Sequence, residues 1–234
     1  MQRLNKKTIQ IDIVSDVACP WCYVGKKRLE KAISTLEKDY NFNVSFKPFQ
    51  LDPNIPESGI DAKTYFNNKF GSSERTEEIF SHTSRAGASV GINFRFNNIP
   101  KAINTLPLHC ILSVAKQEGN QLAVKQALLD AYMVQCIDLS ILQNIAHVLS
   151  PFGWDLAKVE KVVFDKNIRK EVENDIKFAQ INGITGVPFF IINNKFGISG
   201  AQPSELFIQV FQSLKDEDFE QIQSNESCDI SGNC

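Results

Sequence analysis

Ile9-Gln10-Ile11-Asp12-Ile13-Val14 runs through Ser15-Asp16-Val17-Ala18 into Cys19-Pro20-Trp21-Cys22, and an amphipathic segment from Gly25 to Tyr40 follows. The apolar, β-branched run reads as a strand, buried on both faces to judge by its near-continuous apolar character. Leu29, Ile33, Leu36 and Tyr40 recur at helical spacing, with Lys26, Lys27, Lys31 and Lys38 on other faces. The thiols therefore stand where a strand gives way to a helix N-terminus. Unpaired N–H groups and the positive end of the helix dipole point at the first sulfur there. Pro20 suits the first helical turn, where its missing N–H would be unpaired anyway. The placement favours a thiolate, the form that attacks disulfides, so Cys19 is expected to be more acidic than free cysteine. Cys22, one turn on, is placed to displace a mixed disulfide.

C-x-x-C is also half of a zinc site, but a structural zinc site needs a second ligand pair. Cys110, Cys136, Cys228 and Cys234 form no such pair, so no metal is expected. A purely structural disulfide is disfavoured as well, because closing a two-residue loop removes almost no chain entropy. Redox chemistry, with no cofactor, is the remaining reading.

Downstream, Val44 to Phe49 alternates as a second strand, and a strand–helix–strand connection of this kind makes the two strands parallel. From Asp61 to about Gly183 the sequence reads as helices at Asp61–Phe70, Glu74–Val90, Thr105–Glu118, Gln121–Ile137, Ser140–Ser150, Leu156–Phe164 and Ile168–Asn182. The period then changes back. Val187 to Ile192 is a strand, Asn193-Asn194 a hairpin turn and Lys195 to Ile198 its partner. A helix from Pro203 to Leu214 closes the pattern. The expected architecture is an α/β domain from residues 1–50 and 184–214, split by an all-helical insertion at 51–183. Residues 215–234 read as a flexible acidic tail carrying Cys228 and Cys234.

The 234 residues, 43% hydrophobic, suffice for a full core. A net charge of −2 carries no nucleic-acid footprint. No stretch approaches the roughly 20 apolar residues of a membrane span, and the polar N-terminus has no secretory apolar core. The expectation is a cytoplasmic chain, away from membranes, whose six cysteines are reactive or buried free thiols rather than a disulfide framework.

Taken together, Ser15 to Lys26, Gly183 to Phe190, and Gly197-Ile198-Ser199-Gly200-Ala201-Gln202-Pro203 resemble the thioredoxin-fold DsbA family, and within it the FrnE-like branch. Val90 to Phe94 and Asn104-Thr105-Leu106 extend the resemblance into the insertion. It implies a thioredoxin-like fold with a helical insertion and a thiol-disulfide oxidoreductase or isomerase acting on disulfide- or thiol-containing polypeptides. Cys19 matches the family's nucleophile and Cys22 its resolving thiol. The resemblance also makes Pro188 a cis proline facing the dithiol, with Val187 offering its backbone to a substrate strand and Pro20 and Trp21 beside the substrate. The wider superfamily includes kappa-class glutathione transferases and 2-hydroxychromene-2-carboxylate isomerases, which bind glutathione and generally carry serine at the nucleophile position. Cys19 with Cys22 argues against that alternative, while leaving glutathione itself open as a partner.

Trp21 adds bulk without charge, so a more reducing couple is expected than in relatives with histidine there. Asp12 interrupts the first strand and is a candidate proton relay for Cys22; the competing reading is a strand aspartate paired with a nearby lysine. Asp16 is expected to cap the turn into the helix. Cys110 and Cys136 read as buried helix positions. Cys228 and Cys234, in a segment without apolar periodicity, are a candidate accessory dithiol, the alternative being incidental thiols. His82, His109 and His147 form no recognisable ligand or nucleophile pattern.

Overall fold

The computed structural model describes residues 6–219. β1 (Thr8–Ser15) is followed by α1 (Pro20–Leu36) and β2 (Asn41–Pro48), and β1 pairs with β2 in parallel register, Ile13 opposite Phe46. The insertion holds the short β3 (Ile60–Asp61), α2 (Ala62–Phe70), α3 (Ser73–Ala88), β4 (Lys101–Ala102), α4 (Leu106–Gln117) and α5 (Gln121–Met133). It continues with α6 (Leu142–Leu149), α7 (Leu156–Val163) and α8 (Lys166–Ile181). The chain then returns through β5 (Phe189–Ile192), β6 (Phe196–Ser199) and α9 (Ser204–Ser213). The main sheet has the order β2-β1-β5-β6, with β5 antiparallel to both neighbours.

Two apolar clusters dominate the interior. Ile9, Ile11 and Ile13 of β1 pack with Leu29 and Ala32 of α1 and Phe207 and Phe211 of α9, which seals one face of the sheet. A larger cluster fills the insertion around Leu108, Ile111, Leu128, Ile145 and Trp154, and reaches Val17, Tyr23 and Val24 beside the dithiol. The insertion also closes a sheet edge. β2 is an outer strand, and the buried Gln121 side chain accepts from the Phe46 N–H (2.8 Å) and donates to its carbonyl (3.0 Å). Unpaired strand groups are thereby satisfied by a side chain from α5.

Several boundaries differ from the sequence reading. α1 begins at Pro20 and stops at Leu36, not Tyr40; residues 37–39 form a turn in which the Asp39 and Tyr40 N–H groups both donate to the Leu36 carbonyl (2.9 and 3.0 Å). α5 ends at Met133 rather than Ile137, since Cys136 adopts a left-handed φ of 59° that no helix continues through. Cys136 is therefore outside a helix and half-buried, whereas Cys110 is buried in α4 as expected. β1 is buried on both faces only from Ile13 onward, because Gln10 and Asp12 keep partial exposure. The helical block also contains the two-residue β3–β4 ladder, too short to leave a periodic signal. Asn193 and Asn194, at φ 51° and 55°, form the tight hairpin expected of an Asn-Asn pair. Among the described residues no helix is long and apolar enough to cross a membrane.

Candidate active site

Cys19 is the N-cap of α1, in extended conformation, and its side chain makes no cap bond. No acidic residue follows in the first turn, so the positive end of the helix is left to the sulfur. Asp16 shapes the turn that leads in. Its buried carboxylate accepts from the Ala18 N–H (3.3 Å) and the Leu51 N–H (2.8 Å), and lies 3.4 Å from His109 Nε2. Burial alone would raise the Asp16 pKa, but the His109 contact and the Leu51 N–H outweigh it and hold the group below its ordinary range. The turn is therefore capped by Asp16, as expected, but by an anion buried beneath the helix rather than one in solvent.

The dithiol is a tightly coupled pair. Its hydrogen bond with Cys22, burial and the Asp16 carboxylate push the Cys19 thiol well above its ordinary range. Burial opposes the Cys22 anion, yet the bond from Cys19, the Lys125 charge and the Ser15 hydroxyl together draw the Cys22 pKa down. The expectation of a Cys19 more acidic than free cysteine rested on the helix end; the neighbouring Cys22 and the buried Asp16 carboxylate act against that anion.

Access separates the two sulfurs. Cys19, with Pro20, Trp21 and Val187, lines a cavity of about 330 Å³ walled by Phe66, Phe80 and Met133, whereas Cys22 is not part of its wall. Tyr65 and Lys69 lie at the same cavity, the Tyr65 hydroxyl donating to Asp52 (2.8 Å). Trp21 packs beside His82 of α3, ring centroids 5.7 Å apart, so the insertion touches the dipeptide between the thiols. Cys19 Sγ lies 3.6 Å from the Val187 carbonyl oxygen, and the Val187–Pro188 bond is cis. Pro188 packs where Gly25 leaves room: a Cβ built on Gly25 would stand 3.0 Å from Pro188 Cγ and 3.1 Å from the Phe190 ring. The Gly200 N–H donates to the Pro188 carbonyl (2.8 Å), which ties the Gly197–Pro203 loop to the same place.

The structure thus brings Cys19, Pro20, Trp21, Cys22, Val187 and Pro188 together. Asp12 accepts from the Ser45 hydroxyl and lies 3.9 Å from Lys47 Nζ, the lysine pairing set out above as the alternative to a proton relay. The charges that act on the thiols are those of Asp16 and Lys125. The sequence reading passed over Lys125 and gave His109 no role; no local pattern marks either, because both are brought to the dithiol from the insertion. Cys228 and Cys234 lie outside the described residues.

Residues 10–212 match the model of the DSBA-like thioredoxin domain. The probable DsbA oxidoreductase SCO1869 of Streptomyces coelicolor is similar at 29% identity and a TM-score of 0.80, covering 88% of this chain and 92% of its own. A 2-hydroxychromene-2-carboxylate isomerase shares the fold at 15% identity and a TM-score of 0.64, over 93% of this chain and 99% of its own. The cytosolic disulfide reductase DsbM of Pseudomonas aeruginosa, solved with GSH, shares it at 13% identity and a TM-score of 0.59, over 88% of this chain and 100% of its own. A strand-to-helix dithiol facing a cis proline and a match spanning nearly the whole chain lead to one assignment: this protein belongs to the DSBA-like thioredoxin domain family.

Proposed function

We propose that this protein is a thiol-disulfide oxidoreductase of the FrnE-like branch, in which Cys19 attacks a substrate disulfide and Cys22 resolves the mixed disulfide. The observation that carries the reading is the asymmetry of access: Cys19 lines the cavity and Cys22 does not. Attack by Cys19 leaves Cys22 close behind the newly formed bond, where its thiolate reaches the Cys19 sulfur. Pro188 and Val187 hold the opposite wall, and a substrate strand passing Val187 pairs through its backbone, which is tolerant of sequence. Aromatic walls suit a substrate whose disulfide is flanked by apolar groups.

Residues 1–50 and 184–214 act as the thiol-bearing domain, and the 51–183 insertion covers it. The cytosolic reductase with GSH among the structural neighbours supports a cytoplasmic setting and glutathione as reductant of the couple. Its reduction potential, measured against glutathione and combined with an insulin-reduction assay, tests the reading. A wild-type protein that forms no Cys19–Cys22 disulfide at any glutathione ratio, and reduces no insulin, would overturn it.

A further inference from the structure

Lys125 lies on α5 within the insertion, its side chain fully buried. Its Nζ has no hydrogen-bond partner among the described residues, and the nearest compensation is the Phe46 ring, with the centroid 5.1 Å away. An ammonium taken out of water and left unpaired is costly, and a ring face repays little of that. A buried cation in this position calls for a buried anion. Asp16 supplies one, but its carboxylate is already held by the Ala18 and Leu51 N–H groups and by His109. The other anion within its field is the dithiol.

We propose that Lys125 is the counter-charge of the thiolate carried by the Cys19–Cys22 pair, so that the insertion, and not the thioredoxin-like domain alone, sets the redox poise of the couple. The proposal rests on the oxidoreductase reading above. In the resolving step the Cys22 thiolate attacks Cys19 Sγ of the mixed disulfide. The Cys19–substrate bond breaks, the Cys19–Cys22 bond forms, and the substrate sulfur leaves as a thiolate that takes up the proton Cys22 has released. The enzyme dithiol is oxidised by two electrons and the substrate disulfide is reduced by the same two. Lys125 stabilises the thiolate before attack and loses that partner once the disulfide has formed. It is a positioning residue, acting through charge.

The groups around Lys125 come from five elements. Cys22 and Lys26 of α1, its N-cap Cys19 and Asp16 of the turn before it all act on Lys125 through their charges. His109 and Lys116 of α4 line a cavity of about 50 Å³ with Lys125, opposite Lys47 of β2 and Asp175 of α8. Burial pushes the ammonium down to about 8, against the pull of Cys22, Asp16 and Cys19, so it is largely charged at neutral pH.

The test uses Lys125→Met, which keeps length and bulk, and Lys125→Gln, with far-ultraviolet circular dichroism to confirm folding. Thiolate absorbance is followed against pH, and the couple is equilibrated with glutathione. Removing the cation destabilises the dithiol form. The first thiol ionisation should rise by about one pH unit, and at a pH above that ionisation in both proteins the equilibrium should move about tenfold toward the disulfide, about 30 mV more negative for a two-electron couple. In the wild-type protein, the Lys125 ammonium pKa read by nitrogen NMR should be higher in the reduced than in the disulfide form. Unchanged thiol ionisation and potential in a folded variant, or equal Lys125 pKa values in both redox forms, would overturn the proposal. In that outcome Lys125 serves Asp16 alone. A wild-type protein that never forms the disulfide would instead defeat the oxidoreductase reading, so the two failures are distinct.

Discussion

His109 Nε2 lies 3.4 Å from Asp16 Oδ1 and 2.9 Å from the Phe49 carbonyl oxygen, with both side chains buried. The imidazole belongs to α4 and the carboxylate to the turn before the dithiol, so one contact joins the insertion to the loop that positions Cys19. Because Asp16 is depressed below its ordinary value of 3.8, its contribution to stability is complete above that pH and is lost as pH falls from there through the folded value. Asp16→Asn is expected to flatten the acid limb of the stability profile below about pH 4, measured by urea unfolding at a series of pH values. The same substitution removes the anion that raises the Cys19 thiol, so alkylation of Cys19 should reach half-maximal rate at lower pH.

Cys19→Ser should bring insulin reduction down to the uncatalysed level. Cys22→Ser should keep the attack and accumulate enzyme–substrate mixed disulfides, visible as mass adducts that a small thiol reductant releases. Normal turnover by Cys22→Ser would remove the resolving role.

Gly25→Ala probes the packing of α1 on the Pro188 loop. Its new Cβ meets Pro188 and Phe190 at about 3 Å, tighter than van der Waals contact. Overpacking of this kind costs about 1–3 kcal/mol, readable as a lower denaturant midpoint. Activity should fall further than stability, because the displaced loop carries Val187.

Gln121→Leu tests the closed sheet edge. It strands the Phe46 N–H and carbonyl in a buried setting, at about 1–3 kcal/mol for each group. Hydrogen exchange at Phe46 should accelerate ahead of that at Ile13, its neighbour across the β1–β2 ladder.

Much of this arrangement was legible in the sequence because its causes are local. The β-branched run at Ile9–Val14, the Asn-Asn turn and the apolar periodicity of the helices each act over a few residues. The cysteine pair declares its own chemistry, and the family resemblance brought Pro188 and Val187 to it. The charges around the thiols were not legible. Gln121 and Lys125 are spaced i, i+4 on α5, a pattern that normally marks a solvated polar face. Here that face turns inward against β2, and only tertiary structure reveals that both polar groups are buried. Asp16 read as a turn cap and is one; its burial beside His109 depends on α4, which lies about ninety residues on by simple count along the chain.

The side-chain clasp at Phe46 bears on how separable the two halves of this chain are. An excised strand–helix half would expose a bare outer strand in which the Phe46 N–H and carbonyl have lost their partner from α5. Such an edge recruits a second copy of itself. The insertion is therefore no detachable cassette: grafting its thiol-bearing half onto another scaffold would require a substitute for Gln121, or the product would be sticky before it was inactive.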